Sequence, residues 1–300
     1  MLRGLLLDNL DQPANSSYHK LKLMNAGCVG TLWTAGTHHK RNVYEACEVM
    51  LTAPLYMIRI GGHHQPPFEW MADAQDALRE LPKQIILENR ALLVCGNEPN
   101  VEGYINKPQD YIDLYKSVCN LSIPIAAAAP SFGKPDGVSY LSAMRVDFGK
   151  KFPLLVANIY AHNVVPLLPL IKSHCNKLYI GEINTLDCTN RVEFLHGAFN
   201  ALSSAGVIAS LVFIAGGKSN GDWDENYIIS TDQARELATM EWKLKFSEVV
   251  GSDIAKYGTP TTDIMYDAQG NAWQYSDKGL LFAHKADGWH VYWFINSPKV

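Results

Sequence analysis

Ala91-Leu92-Leu93-Val94-Cys95-Gly96-Asn97-Glu98-Pro99-Asn100 is an apolar run that stops abruptly on polar groups. Nothing polar alternates with the residues between Arg90 and Gly96, so they read as a strand buried on both faces. Pro99 lacks the N–H that a continuing ladder would need, and the chain must turn away there. Asn97 and Glu98 are left at the strand's exit. About eighty residues later, Lys177-Leu178-Tyr179-Ile180-Gly181-Glu182-Ile183-Asn184 repeats the grammar, a short apolar run closing on a glutamate.

Outward from these two stretches, eight strand-like runs are predicted at 5–8, 29–33, 55–60, 91–95, 123–128, 154–159, 178–181 and 209–214. Helical patterns separate them at 17–26, 41–52, 69–81, onward from Pro108, 138–148, 165–173, 192–204 and 231–249. In 69–81, apolar residues recur at Trp70, Ala74, Ala77, Leu78 and Leu81, which assigns Trp70 to that helix's buried face. Strand starts recur every 24 to 36 residues, the period of a βα unit. Eight such units predict a (β/α)₈ TIM barrel over residues 1–250. An open doubly wound sheet would carry a glycine-rich turn after its first strand; Asp8-Asn9-Leu10-Asp11-Gln12-Pro13 is a poor phosphate cradle. After Gly251 the runs alternate and pair around Ala268-Gln-Gly-Asn and Lys285-Ala-Asp-Gly. Two hairpins forming a small antiparallel β appendage are expected over 251–300. Packing of this appendage against the barrel is the favoured reading, and a carbohydrate-binding module is the alternative.

A chain of 300 residues, 47% hydrophobic, can bury a large core. A net charge of −4 with no basic run argues against nucleic acid or an anionic membrane as partner. There is no apolar span of membrane length. The start, Met1-Leu2-Arg3-Gly4-Leu5-Leu6-Leu7, is too short an apolar segment for an export signal and reads as the first strand. Cys28, Cys47, Cys95, Cys119, Cys175 and Cys188 are widely spaced without a CxxC pair, and are expected to be free thiols in a reducing compartment. A cytoplasmic or phage-associated location is favoured, with a secreted mature form as the alternative.

In a barrel, the C-terminal ends of the strands share one rim, and chemistry collects there. Glu98 ends strand four and Glu182 ends strand seven, facing each other across the mouth. Paired carboxylates in that arrangement suit glycosidic bond cleavage, in which one carboxyl is protonated and the other ionised. Gly96-Asn97-Glu98-Pro99-Asn100 with Ile180-Gly181-Glu182 resembles the clan A glycoside hydrolases, such as families 5 and 39. The resemblance implies a retaining mechanism on β-linked oligo- or polysaccharide, with Glu98 as acid/base and Glu182 as nucleophile. It implies that Asn97 bonds the sugar 2-hydroxyl and that Tyr160, after strand six, bonds the nucleophile. The sequence departs from the clan pattern in three places. Asn158 stands where a histidine is frequent, and Arg59 ends strand three where the clan's supporting arginine is commonly on strand two. Phe213-Ile214-Ala215-Gly216 replaces the frequent strand-eight tryptophan.

Arg59 and Tyr160 are expected to hold Glu182 ionised. Trp33 and Trp223 are the favoured rings for stacking on sugar C–H faces, and His63, Asn158 and His162 are candidate partners for sugar hydroxyls. His38-His39, His63-His64 and His162 raise the question of a metal. Asp8-Asn9 stands where a metal-dependent barrel hydrolase places His-x-His, so no metal and no cofactor are expected. Two rival readings remain. Gly216-Gly217-Lys218 after strand eight resembles an anion-binding turn, which would suit a phosphate-binding barrel enzyme. The other is a catalytically degenerate, carbohydrate-binding or virion-associated barrel.

Overall fold

The computed structural model describes residues 1–7, 20, 24, 26–33, 53–61, 67–101, 105, 107–160, 166–185, 191–213, 228–237, 265–266, 272–284 and 290–295. For 32–33, 67–68, 265–266, 272, 282–284 and 290–295 the description is of the backbone. The chain divides into two compact units, Met1–Arg235 and Glu236–Val300. The domain boundary expected near residue 250 lies outside the described residues.

In the first unit, eight parallel strands close into a barrel in sequence order. They are β1 (Leu2–Leu7), β2 (Cys28–Trp33), β3 (Leu55–Ile60), β4 (Ala91–Cys95), β5 (Ile125–Ala128), β6 (Phe152–Ile159), β7 (Cys175–Ile183) and β8 (Ala209–Val212). β8 pairs back onto β1 through Leu2↔Ala209 to Leu5↔Val212. The expected (β/α)₈ barrel is the fold. Its strands are buried from both sides, and β4, β5 and β8 are buried at every position. That is why they carry unbroken apolar runs.

Six described helices lie between strands: α1 (Pro67–Glu80), α2 (Lys83–Leu87), α3 (Pro108–Val118), α4 (Gly137–Phe148), α5 (Leu168–Ser173) and α6 (Arg191–Ser204). A further helical stretch covers 231–237. The expected helix at 41–52, and nearly all of that at 17–26, lie outside the described residues. α2 is not anticipated by the sequence reading, because five residues after Pro82 are too few to show a helical period. Strand seven differs more consequentially. The expected run ends at Gly181, whereas β7 continues to Ile183 with an irregular register across that glycine. Strand eight ends at Val212 rather than 214.

The C-terminal ends of β3 and β4 rest on one side chain. Trp70 of α1 is 1% exposed, and its indole fills the space beside Gly61 and Gly96. A Cβ on either glycine would lie 2.3–2.4 Å from indole ring atoms. Both glycines have left-handed backbones, φ +79° and +75°. The buried face expected of Trp70's helix therefore includes the strand exits. Tyr111 of α3 adds a second tie, donating to the Cys95 carbonyl at 2.9 Å and accepting from the Ala128 N–H at 2.5 Å. It continues the β4–β5 pairing one step past its last register pair, Cys95↔Ala127.

The second unit is one antiparallel sheet in the order β12-β11-β10-β9. Its strands are β9 (Met265–Tyr266), β10 (Ala272–Tyr275), β11 (Gly279–His284) and β12 (His290–Ile295). The two expected hairpins, β9–β10 and β11–β12, are joined by a third pairing, β10–β11. The turn between them closes on Ser276, whose N–H donates to the Gly279 carbonyl and whose Oγ accepts from the Lys278 and Gly279 N–H groups. Cys28, Cys95 and Cys175 are buried free thiols, and Cys119 is a half-buried one. Burial pushes the Cys28 thiol up to about 12. Cys47 and Cys188 lie outside the described residues. Among the described residues, no helix is long and apolar enough to cross a membrane.

Two alanine substitutions separate backbone strain from the tryptophan contact. Gly149→Ala sits at φ +81° in open space and is expected to cost about 1 kcal/mol. Gly96→Ala adds a clash with Trp70 and is expected to cost roughly 2–4 kcal/mol. Urea midpoints that fall equally in the two variants would show that Trp70 does not set the β4 exit.

Candidate active site

Glu182 faces the barrel interior because β7 carries one extra residue. Ala157 pairs with Ile180, but the next residue, Asn158, pairs with Glu182. On the other side, Ile180 pairs with Ser210 and Ile183 with Val212, so three steps on β7 match two on β8. Side chains alternate along a regular strand. Without the bulge, Glu182 would share the outward direction of Leu178 and Ile180. With it, the sequence neighbours Gly181 and Glu182 both line the central pocket. A bulge beside a site that re-aims a side chain is a recurrent device. Gly181 fits because a Cβ there would approach Val156 Cγ1 to 2.8 Å and Asn158 Oδ1 to 2.9 Å.

The Glu182 carboxylate, 7% exposed, is bonded at both oxygens. Arg59 on β3 donates from Nη1 to Oε1 at 2.9 Å, an ion pair in which neither side chain is more than 16% exposed. The Tyr160 hydroxyl, just past β6, donates to Oε2. A buried charge is tolerable only when paired and hydrogen-bonded, and both contacts favour the ionised carboxylate. Tyr160 is 37% exposed as a residue, but its hydroxyl end is desolvated beside Glu182. That desolvation, and then the negative charge of Glu182, raise the hydroxyl well above its ordinary value, so it remains a donor. Its ring stands edge-on to Phe213, with centroids 5.8 Å apart and planes at 85°.

On the opposite wall, Asn97 and Glu98 follow β4 and line the same pocket. Asn158 of β6 donates from Nδ2 to Asn97 Oδ1 at 2.9 Å, which fixes the carbonyl end of the Asn97 amide. Glu98 has φ +30°, an uncommon backbone for a residue with a side chain. Glu98 also acts electrostatically on the Tyr160 hydroxyl, so both carboxylates bear on one locus. Around them, Leu6, Met57, Val94, Val156 and Leu211 give the pocket an apolar lining.

The structure thus brings Arg59, Asn97, Glu98, Asn158, Tyr160 and Glu182 together at the C-terminal mouth. Trp33 ends β2, and its description is of the backbone. His63, His162 and Trp223, and the possible anion turn Gly216-Gly217-Lys218, lie outside the described residues. Among the described residues, no group of three or more His, Cys, Asp or Glu side chains is arranged to hold a metal ion. The sequence reading noted Phe213 as a departure and did not connect it with Tyr160. It also missed Asn100, whose amide bonds the main chain of Ser131. Neither contact has a local signal, since each joins residues more than thirty positions apart.

No family model and no curated protein matches the chain. Solved structures do resemble it. An endo-β-1,3-glucanase of glycoside hydrolase family 128 from Lentinula edodes is 17% identical, covering 76% of this chain and 90% of its own, with a TM-score of 0.52. The second active domain of a chitinase from Pyrococcus furiosus is 10% identical over 81% and 95%, TM-score 0.52. An endo-β-1,4-glucanase from Xanthomonas axonopodis pv. citri is 12% identical over 79% and 99%, TM-score 0.50. At these identities the likeness is one of fold: the chain has the barrel seen in these glycoside hydrolases.

The raised Tyr160 hydroxyl gives a spectroscopic expectation. Tyr160→Phe should leave the tyrosinate absorbance change of the native protein around pH 10 unaltered, because this hydroxyl does not ionise there. A smaller absorbance step in the variant would mean that Tyr160 titrates normally and that its hydroxyl is not held against Glu182.

Proposed function

We propose that this protein is a retaining glycoside hydrolase acting on β-linked oligo- or polysaccharide. The observation that carries the reading is the pairing of a doubly held, buried Glu182 with Asn97-Glu98 across one pocket. A carboxylate turned inward by a bulge and gripped at both oxygens is oriented and kept ionised, as a nucleophile must be. Glu98, on the facing wall of the same pocket, is the second carboxyl the reaction needs and serves in this reading as the proton donor. In the first step, a Glu182 oxygen forms a bond to the anomeric carbon as the glycosidic C–O bond breaks. Glu98 gives its proton to the departing oxygen. In the second, Glu98 takes a proton from water, whose oxygen displaces the Glu182 ester and regenerates both residues. This sequence requires the carboxyl groups to stand about 5–5.5 Å apart. Asn97 is the donor for the sugar 2-hydroxyl, and Arg59 and Tyr160 preserve the charge and aim of Glu182.

The fold likeness supports a polysaccharide substrate without choosing the linkage, because the three similar barrels are a β-1,3-glucanase, a β-1,4-glucanase and a chitinase. Trp33, Trp223, His63 and His162 remain proposed as sugar contacts on the grounds of the sequence alone.

Mutation separates the two glutamates. Glu182→Gln is expected to abolish turnover of every substrate, since no glycosyl-enzyme can form. Glu98→Ala is expected to retain glycosyl-enzyme formation only with activated aryl β-glycosides, and to accumulate the intermediate. Azide needs no general base, and should restore turnover of Glu98→Ala with a β-configured product. Rescue of Glu182→Ala with an α-configured product would reverse the roles. Full activity in both variants would refute glycosidase chemistry at this rim.

A further inference from the structure

The turn that leaves β4 is held from outside the pocket by a side chain with no contact to the proposed reacting groups. Glu98 and Val101 close a four-residue turn, the Val101 N–H donating to the Glu98 carbonyl at 2.8 Å. Pro99 occupies its second position, where a fixed φ suits it, and Asn100 its third. The Asn100 amide grips the main chain of Ser131, beyond β5, at both of its polar groups. Oδ1 accepts from the Ser131 N–H at 2.6 Å, and Nδ2 donates to the Ser131 carbonyl at 3.2 Å. Nδ2 also lies 3.3 Å from Asp136 Oδ1, at the start of α4. The Pro99 carbonyl accepts from the Tyr140 hydroxyl of α4 at 3.5 Å. Glu98 therefore stands between two anchors. Before it, Gly96 is seated on Trp70 and Asn97 is bonded to Asn158; after it, Asn100 is fastened to Ser131. Glu98 itself is held at φ +30°, a conformation that persists only when its surroundings over-determine it.

We propose that Asn100 is a positioning residue for Glu98, clamping the turn so that the Glu98 carboxyl is aimed at the departing glycosidic oxygen. The inference rests on the acid/base reading of Glu98. Only an amide satisfies the clamp, because it must donate to one peptide group of Ser131 and accept from the other. Aspartate has the same size, but would set a carboxylate against the Ser131 carbonyl and the Asp136 carboxylate. Loss of the clamp leaves Glu182, Arg59 and Tyr160 in place, so its effect falls on proton delivery and not on bond formation at the anomeric carbon.

The test compares Asn100→Ala, Asn100→Asp and Glu98→Ala on two β-glycosides, one with an unactivated alcohol and one with a dinitrophenolate leaving group. Both Asn100 variants are expected to lose about 30- to 100-fold in kcat/KM on the unactivated substrate, where proton delivery limits glycosyl-enzyme formation. On the dinitrophenyl substrate, which departs without a proton, the loss in kcat/KM should stay within about threefold, while kcat falls further because Glu98 also serves as the base of the second step. A role in stability alone would lower both rates by the same factor, and that outcome would overturn the proposal. Amide exchange of the native variants provides a readout independent of turnover. The Val101 N–H is expected to exchange about tenfold faster or more once the clamp is cut, and unchanged exchange would equally overturn the proposal. Glu98→Ala distinguishes the underlying reading. If that variant shows no leaving-group dependence, Glu98 is not the acid, and the catalytic half of the inference falls with it.

Discussion

The buried charge of Glu182 is the constraint on which the mouth of the barrel depends. A carboxylate with so little exposure must have partners, and they come from two other strands: Arg59 on β3 and Tyr160 after β6. Neither could reach a residue pointing into the helix layer. The bulge at Gly181 is therefore an electrostatic requirement as much as a feature of the sheet. It turns one carboxylate inward at the cost of an irregular ladder on both sides of β7. Tyr160 is supported in turn by Phe213, just past β8, so the chain of dependence crosses the mouth from β3 to the exit of β8.

The opposite wall solves a different problem. Glu98 has no strand to fix it, since β4 ends three residues earlier. Its rigidity comes from what flanks it. Trp70 admits no side chain at Gly96, so α1 and the β4 exit must be placed together. Asn158 ties Asn97 to β6, and the missing Cβ of Gly181 leaves room for that same amide. The bulge on β7 and the asparagine before Glu98 are thus linked through Asn158. A side chain at position 181 would disturb both walls at once.

Much of this architecture was legible in the sequence, for a physical reason. Parallel strands buried on both faces carry continuous apolar runs, so strand number, strand order and the two glutamate exits could be counted. The antiparallel unit was legible through alternation, although its Ser276–Gly279 turn, with no glycine pair to announce it, was not. Inside β7, a glycine between Ile180 and Glu182 looks like a strand end, and it took the register to show that the strand continues through it. Arg59 looked misplaced against the clan pattern because strand count says nothing of side-chain reach. Trp70 and Asn100 act through contacts with Gly61, Gly96 and Ser131 that no local period encodes.

Asn158 shows how one departure from the clan pattern changes what the site can do. A histidine at this position would titrate across the neutral range and could exchange donor and acceptor roles with pH. An asparagine carries no proton equilibrium, and here its N–H group is committed to Asn97 Oδ1. Arg59 stays charged at any working pH, and the bond to Glu182 from a desolvated hydroxyl keeps Tyr160 protonated. The groups that position the two glutamates thus hold their charge states across the neutral range, so a change of pH there does not loosen what aims the carboxylates.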